Sequence, residues 1–279
     1  MVKAGIKHSF PVVVVTLQAL VLWNSGWMFE SGTISIGVFT ERIVRWAPLV
    51  MLGASCLVTV YFNSSRLTHL GIFLLLTYLY VTASHWPYLR QWFGPTPSAY
   101  RNSFLWIPVL IPTVFILVHS LAREELFTAQ SIYFQCLILA TYPVLFFLHL
   151  QFPMNSLFLY DLLPRYKIPV GMDTPWSLTP ILLLMLLGFA LLLNRERNFY
   201  SNDLSTIFWI AVACVIPFFP GLAWTTRIGV EFQFPVGFSV AGVLFIAKAM
   251  NFAWSKAYRD PLTQVRARMA LDENLESLV

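Results

Sequence analysis

Long apolar runs, separated by short polar stretches, dominate the chain from end to end. Eight of these runs reach or approach the roughly 20 residues that a helix needs to cross the hydrocarbon core of a bilayer. They span approximately residues 9–29, 46–62, 67–85, 104–121, 132–152, 176–193, 204–219 and 234–254. A helix satisfies its own backbone N–H and C=O groups, as hydrocarbon requires. The pattern therefore predicts an all-α fold, a polytopic membrane bundle of about eight transmembrane helices.

Composition supports a membrane protein over a soluble one. Of the 279 residues, 58% are hydrophobic and only 11% are charged, whereas about 25% of residues are charged in an average soluble domain. The mean hydropathy is +0.69. The longest clearly polar stretch is residues 255–279, and no loop is long enough to fold alone. We expect a membrane domain over residues 1–254 and a cytoplasmic segment over residues 255–279.

The basic residues indicate how the spans are oriented. The net charge is +5, and the Lys and Arg residues lie between the apolar runs and at the chain ends. Eight spans place both termini on one side, where Lys and Arg are more numerous, so the positive-inside rule predicts cytoplasmic termini. Lys248, in the last span, can extend to the cytoplasmic surface. Because orientation explains the basic residues, the expected partner is the lipid bilayer and not nucleic acid.

Aromatic side chains gather in the loops that this orientation places outside. One interpretation is the belt of Trp and Tyr found at membrane interfaces. The other is an outward ligand pocket, which would bind an apolar or periplasmic ligand and use basic side chains as polar contacts. The candidate residues of this outward ligand pocket are Trp86, Tyr88, Arg90, Trp92, Arg101, Trp176 and Trp224.

Histidines within spans are candidates for chemistry, because imidazole binds haem and metals and relays protons. His85 and His149 fall near the outward ends of the third and fifth spans and are the candidate metal ligands. The alternative is that they only form hydrogen bonds at the interface. His69 and His119 fall near the cytoplasmic face.

Other catalytic and transport signals are missing from the sequence. No predicted span carries Asp or Glu in its middle, although ion-coupled transporters usually need such carboxylates. The chain also has no P-loop, GxSxG or HExxH pattern, the signatures of phosphate binding, a nucleophilic serine and a zinc site. We expect neither a catalytic residue nor a cofactor in this chain.

The last span is proline-free from Val236 to Arg259, so one helix can continue from the membrane into the cytoplasm. Ala249, Ala253 and Ala257 recur every four residues near its inner end. Small residues at this spacing allow two helices to approach closely. This alanine seam is either a homodimer contact or a contact with a neighbouring helix of the same chain.

Pro261 interrupts that helix, because proline cannot continue the hydrogen-bond ladder. From Asp260 the sequence DPLTQVRARMAL resembles D-x-L-T-G-L-x-N-R-x-x-L, the opening of a GGDEF diguanylate cyclase domain. Gln264 and Ala267 replace the Gly and Asn usual in the family. The matching positions are Asp260, Leu262, Thr263, Arg268 and Leu271.

The resemblance implies a signalling role. GGDEF domains use a Gly-Gly-acid-Glu-Phe turn and metal-binding acids to condense two GTP into cyclic di-GMP across a dimer. This chain has none of those residues and looks like the N-terminal, MASE-like membrane region of such a protein, ending just inside the catalytic domain. The implied function is a sensor and anchor module in the bacterial inner membrane that regulates a C-terminal diguanylate cyclase. GTP and Mg²⁺ would belong to the full-length parent.

Two other functions stay open on the sequence alone. The chain could be a standalone membrane protein, either a small-molecule transporter or a subunit that binds an apolar ligand or haem. It could also be an anchor that tethers a cyclase without sensing. A haem absorption band or uptake into proteoliposomes would support the first. Retained regulation after replacing the spans with an unrelated dimeric anchor would support the second.

Overall fold

The computed structural model of the chain describes residues 9–22, 38–83, 97–121, 128–151, 165–166, 176–177, 179–193, 204–218 and 232–258. Within these residues the protein is helical apart from two short strands, as the hydrophobic pattern predicts, and each predicted span contains one α-helix. A short 3-10 helix, Ile216–Phe218, ends the seventh predicted span. The helices are α1 (Ser9–Leu22), α2 (Val38–Tyr61), α3 (Ser65–Ala83), α4 (Pro97–Leu121), α5 (Ala129–Gln151), α6 (Thr179–Leu193), α7 (Leu204–Val215) and α8 (Phe234–Tyr258).

Two of the described helices are long and apolar enough to cross a membrane, at Ile43–Tyr61 in α2 and Phe234–Trp254 in α8. Shorter apolar helical segments lie in α1, α4, α5, α6 and α7. The last predicted span is a single helix, α8, which continues to Tyr258 as its lack of later proline predicts. Its one proline, Pro235, lies in the first turn, where the missing N–H has no intrahelical partner to lose.

The predicted start of the sixth span is wrong. Trp176 lies in a short strand, β2 (Trp176–Ser177), which pairs antiparallel with β1 (Arg165–Tyr166). The helix begins at Thr179, directly before Pro180, a residue that suits a first helical turn. Hydropathy placed the boundary too early because apolar residues continue across it.

The helices pack around α8 and α3. α8 contacts α2, α7 and α3, while α3 also contacts α4 and α5. α4, which contacts α3, also packs against α6 and α7. The largest fully buried side chains among the described residues include the aromatic residues Phe73, Tyr78, Phe115, Phe234, Phe238 and Phe245.

Glycines on α3 and α8 allow close helix contacts. A Cβ atom at Gly237 would collide with the Pro217 ring and lie 3.2 Å from the Ala213 carbonyl oxygen. One at Gly242 would lie 2.8 Å from Met51 Cβ, and one at Gly71 would lie 2.7 Å from Cys56 Sγ. Small residues at such crossings are how helices associate closely in an apolar environment.

A tight turn joins α2 to α3. Asn63 adopts a left-handed conformation with φ of 53°, which Asn tolerates better than most residues. The Asn63 N–H donates to the Val60 carbonyl oxygen and the Ser64 N–H donates to the Thr59 carbonyl oxygen, both at 2.9 Å. These bonds satisfy carbonyls at the end of α2 and reverse the chain within three residues.

Candidate functional site

One end of the bundle is polar although its surroundings are apolar. Here α2 ends, α3 begins, α4 ends and α5 begins, and we call this region the polar end. Its buried polar residues are Thr59, Ser64, Ser65, Thr68, His69, His119, Ser131 and Lys248. Polar groups enclosed in an apolar bundle need partners, because an unpaired group there is costly.

His69 connects α3 to α5. Its side chain is 0% exposed, and Nε2 lies 3.0 Å from the carbonyl oxygen of Ser131. Nδ1 lies 3.1 Å from Ser65 Oγ, which in turn lies 2.7 Å from Ser131 Oγ. The Phe134 ring packs edge-on against the imidazole, with centroids 5.5 Å apart. Two polar contacts to Ser131 thus join α3 to α5, and the contact between His69 and Ser65 orders the side chains that make them.

The contacts of His69 fix the position of one ring proton. Nε2 carries a proton, because the Ser131 carbonyl oxygen can only accept. Nδ1 lies beside both the hydroxyl and the carbonyl oxygen of Ser65. Both ring nitrogens of His69 therefore have hydrogen-bond partners.

Two threonines order the same end. The Thr68 hydroxyl donates to the Ser64 carbonyl oxygen at 2.8 Å and lies 3.1 Å from Thr59 Oγ1, which ties α3 to α2. At the start of α5, Thr128 Oγ1 accepts from the Ser131 N–H at 3.3 Å. This is an N-cap, in which a side-chain oxygen satisfies a backbone donor that the helix leaves unpaired.

A basic group lies beside this network. His119, in the last turn of α4, is 7% exposed, and Lys248 on α8 is 8% exposed. The charges of Arg66 and Lys248 both act on the His119 imidazole. His119 Nε2 is enclosed and has no hydrogen-bond partner among the described residues. The structure buries Lys248 within the bundle, so the prediction that its side chain extends to the surface is wrong.

The opposite end of the bundle is held by rings, and we call it the aromatic end. Phe218 and Phe234 pack with centroids 4.7 Å apart, and Tyr78 packs on Phe238 at 5.4 Å. The Tyr78 hydroxyl donates to the Arg45 carbonyl oxygen at 2.6 Å. These contacts join the 3-10 helix that follows α7 (Ile216–Phe218) to α8, and α3 to both α8 and α2. Their chemistry is that of a packed core.

Most of the predicted outward ligand pocket lies outside the described residues. This applies to Trp86, Tyr88, Arg90, Trp92 and Trp224. Arg101 lies in α4 and Trp176 in β2, and their backbones are described without their side chains. The pocket therefore stays a prediction.

The other predicted sites are described only in part. Ala249 is 1% exposed and Ala253 is half-buried, so Ala249 contacts neighbours within the chain. Only the backbone of Ala257 is described. The same holds for His149, whereas His85 lies outside the described residues. All positions of the GGDEF-like motif lie outside them too: Asp260, Leu262, Thr263, Arg268 and Leu271.

Sequence reasoning placed His69 and His119 at one end but did not link them to Ser65, Ser131 or Arg66. Within the described residues, no group of three or more His, Cys, Asp or Glu side chains could hold a metal ion. Comparison of the chain with known protein families, characterised proteins and solved structures finds no match.

Proposed function

We propose that the chain is a polytopic protein of the bacterial inner membrane, in which all eight helices cross the bilayer. Support comes from the helix faces directed away from the core. Leu57 on α2, Leu137 on α5 and Met185 on α6 are each more than 60% exposed. Apolar surface of this extent is unfavourable in water and favourable in hydrocarbon.

Both termini face the cytoplasm in this proposal. The distribution of Lys and Arg supports that orientation, and it puts the polar end on the cytoplasmic side. Arg66, His119 and Lys248 would then lie at the face where basic residues are favoured. The aromatic end would lie toward the outside, near the loops that carry the predicted outward ligand pocket.

The proposed function is a sensor and anchor that regulates a C-terminal diguanylate cyclase. The observation that carries it is the continuity of α8, which packs on α2, α3 and α7 and runs without interruption to Tyr258. Asp260 and Pro261, where the GGDEF-like motif begins, follow after one residue, Arg259. A change in how the bundle holds α8 would therefore reach the motif through a rigid helix.

The first experiment reads the coding sequence beyond Val279. The proposal requires the open frame to continue into a domain with a Gly-Gly-acid-Glu-Phe turn. A stop codon with no such frame would contradict the cyclase connection. The chain would then be studied as a transporter or as a ligand-binding or haem-binding subunit, first by its absorption spectrum.

A second experiment tests whether α8 transmits a signal in that gene product. Two alanines inserted after Ser255 rotate the following segment by about 200°, whereas seven return it to within about 20° of its original direction. Cyclic di-GMP in cells should change with the two-residue insertion and return with the seven-residue one. Equal output from both insertions would mean that the spans only anchor the cyclase.

A homodimer is the expected assembly, because a GGDEF cyclase holds one GTP in each of two subunits. Since Ala249 is buried in its own chain, Ala253 is the better place to test a contact between copies. Ala253→Leu should reduce both crosslinked dimer and cyclic di-GMP output. If neither changes, the alanine seam serves packing within one chain.

A further inference from the structure

The seventh helix loses a backbone hydrogen bond near its end. In an α-helix each carbonyl oxygen accepts from the N–H four residues later, and for Ala213 that residue is Pro217, which has no N–H. The α-helix stops at Val215, and the 3-10 helix Ile216–Phe218 follows it. Ala213 is fully buried, so its carbonyl oxygen needs a donor from elsewhere in the protein.

A glutamine of the first helix supplies that donor. Gln18 Nε2 on α1 donates to the Ala213 carbonyl oxygen at 2.8 Å, across 195 positions of sequence. The Gln18 side chain is 3% exposed, although the apolar side chain of Leu17 beside it is exposed. An amide enclosed in an apolar bundle is unfavourable unless it is hydrogen-bonded. The bond to Ala213 therefore accounts for an inward-facing glutamine on an otherwise apolar helix.

The Gln18 amide uses only part of its bonding capacity. Oε1 is enclosed and has no hydrogen-bond partner among the described residues. A buried acceptor without a donor opposes the arrangement that encloses it, whereas the bond from Nε2 favours that arrangement. Because the two effects oppose each other, this bond holds α1 to α7 less tightly than a fully paired amide would.

The eighth helix passes the same break in α7. A Cβ atom at Gly237 would collide with the Pro217 ring and lie 3.2 Å from the Ala213 carbonyl oxygen. The Ala213 carbonyl is thus the place where α1, α7 and α8 meet. Helices bend at proline because the hydrogen-bond ladder is incomplete there. Since there is no free space between Pro217 and Gly237, a movement of the α7 end displaces the start of α8.

We propose that the bond from Gln18 to Ala213 is a releasable latch, by which α1 holds the proline break of α7 in place against α8. When the bond is released, the Ala213 carbonyl has no donor, and the end of α7 moves together with the start of α8. This assigns α1 a part in controlling α8, which goes beyond the proposed function. The latch does not require a cyclase domain, so either proposal can fail while the other stands.

Amide hydrogen exchange of the full chain in lipid nanodiscs, measured by mass spectrometry, tests the latch. Gln18→Met keeps an unbranched side chain of similar length and removes the donor. Exchange should become about tenfold faster at the end of α7 and in the part of α8 that follows Gly237, the effect of leaving one buried carbonyl without its donor. α5, which packs on α3 and α4, should exchange as in wild type.

Pro217→Ala separates the latch from ordinary packing. It returns an N–H to position 217, so Ala213 regains a donor within its own helix and no longer depends on Gln18. Gln18→Met should therefore change exchange little when Pro217→Ala is also present. Because the effect of Gln18→Met is compared between two backgrounds, the loss of the proline ring cancels. Pro112→Ala, in α4, is the matched control and should leave the effect of Gln18→Met at full size.

The proposal can be overturned by each part of this experiment. Unchanged exchange in Gln18→Met would show that the bond does not hold α7. Faster exchange in α7 alone would remove the link to α8, and equal acceleration in every helix would show general destabilisation. An effect that persists in full with Pro217→Ala would show that Gln18 acts through packing and not through the Ala213 carbonyl. If Gln18→Met fails to fold, the double variant with Pro217→Ala must fold, and failure of both would overturn the proposal.

Discussion

The two ends of the bundle are held together by different interactions. At the polar end, side-chain hydrogen bonds through Ser65, His69 and Ser131 join α3 to α5. At the aromatic end, ring packing between Phe218 and Phe234 and the close approach at Gly237 join α8 to α7 and to the 3-10 helix that follows it. The polar end thus depends on exact donor and acceptor partners, whereas the aromatic end depends on shape.

This difference indicates how each end would respond to change. Hydrogen bonds in an apolar bundle specify which helices meet, since a wrong pairing leaves polar groups unsatisfied. Packed rings and glycines specify how closely helices approach, because cores resist added volume. Substitutions that alter volume should therefore damage the aromatic end most, and those that alter donors should damage the polar end most.

The largest effect is expected from Gly237→Leu, at the aromatic end. The new side chain meets the Pro217 ring and the Ala213 carbonyl oxygen, and overpacking of this kind costs about 3 kcal/mol. Gly53→Leu is the matched control, because a Cβ there has no atom within 4 Å. The free energy of unfolding in mixed SDS micelles should fall only for Gly237→Leu. Equal losses would refute the claim that shape determines this end.

His69→Leu is expected to have the next largest effect, at the polar end. It nearly preserves volume but leaves the Ser131 carbonyl oxygen and the Ser65 hydroxyl without this partner, at a cost of about 2 kcal/mol. Tyr133→Leu on α5, where the side chain is exposed, should stay within about 0.5 kcal/mol of wild type. The same unfolding measurement applies. If His69→Leu left the free energy of unfolding unchanged, packing alone would hold α3 to α5.

Asn63→Val tests the turn between α2 and α3. A β-branched residue held at positive φ should cost about 1–2 kcal/mol. Asn63→Gly should be neutral, because glycine adopts this conformation without strain. Mass spectrometry can monitor proteolysis at the turn. Cleavage should be faster than in wild type for Asn63→Val and not for Asn63→Gly. Similar cleavage of both variants would show that the left-handed conformation is unimportant.

The smallest effect is expected from Thr128→Ala, which removes the N-cap of α5 and should cost about 1 kcal/mol. Thr128→Ser keeps the hydroxyl and should behave like wild type. Amide hydrogen exchange in the first turn of α5 is the measurement. Faster exchange in both variants, or in neither, would exclude a capping role.

The helices could be predicted from sequence because a long apolar run favours a helix, which satisfies its own backbone N–H and C=O groups. The continuity of α8 followed from its lack of proline after Pro235. The start of α6 was misplaced, because Trp176 is as apolar as a span residue and only the local strand pairing marks it as outside the helix.

The polar end could be predicted only in part. The polar residues between Asn63 and His69 mark the end of a predicted span, and the pattern of spans predicts that His69 and His119 lie at the same face. The bond between His69 and Ser131 joins residues 62 positions apart, and no local pattern in a single sequence reveals such a pairing. The burial of Lys248 also depends on neighbouring helices.

The most direct test of the account is the membrane topology of the whole chain. Alkaline phosphatase is active only outside the cytoplasm, and it can be fused after Gly94, beyond the third predicted span, or after Val279. The account predicts high phosphatase activity for the Gly94 fusion and none for the Val279 fusion, with the reverse for fusions to green fluorescent protein. Phosphatase activity at Val279, or none at Gly94, would contradict the eight-span arrangement and the cytoplasmic placement of the polar end.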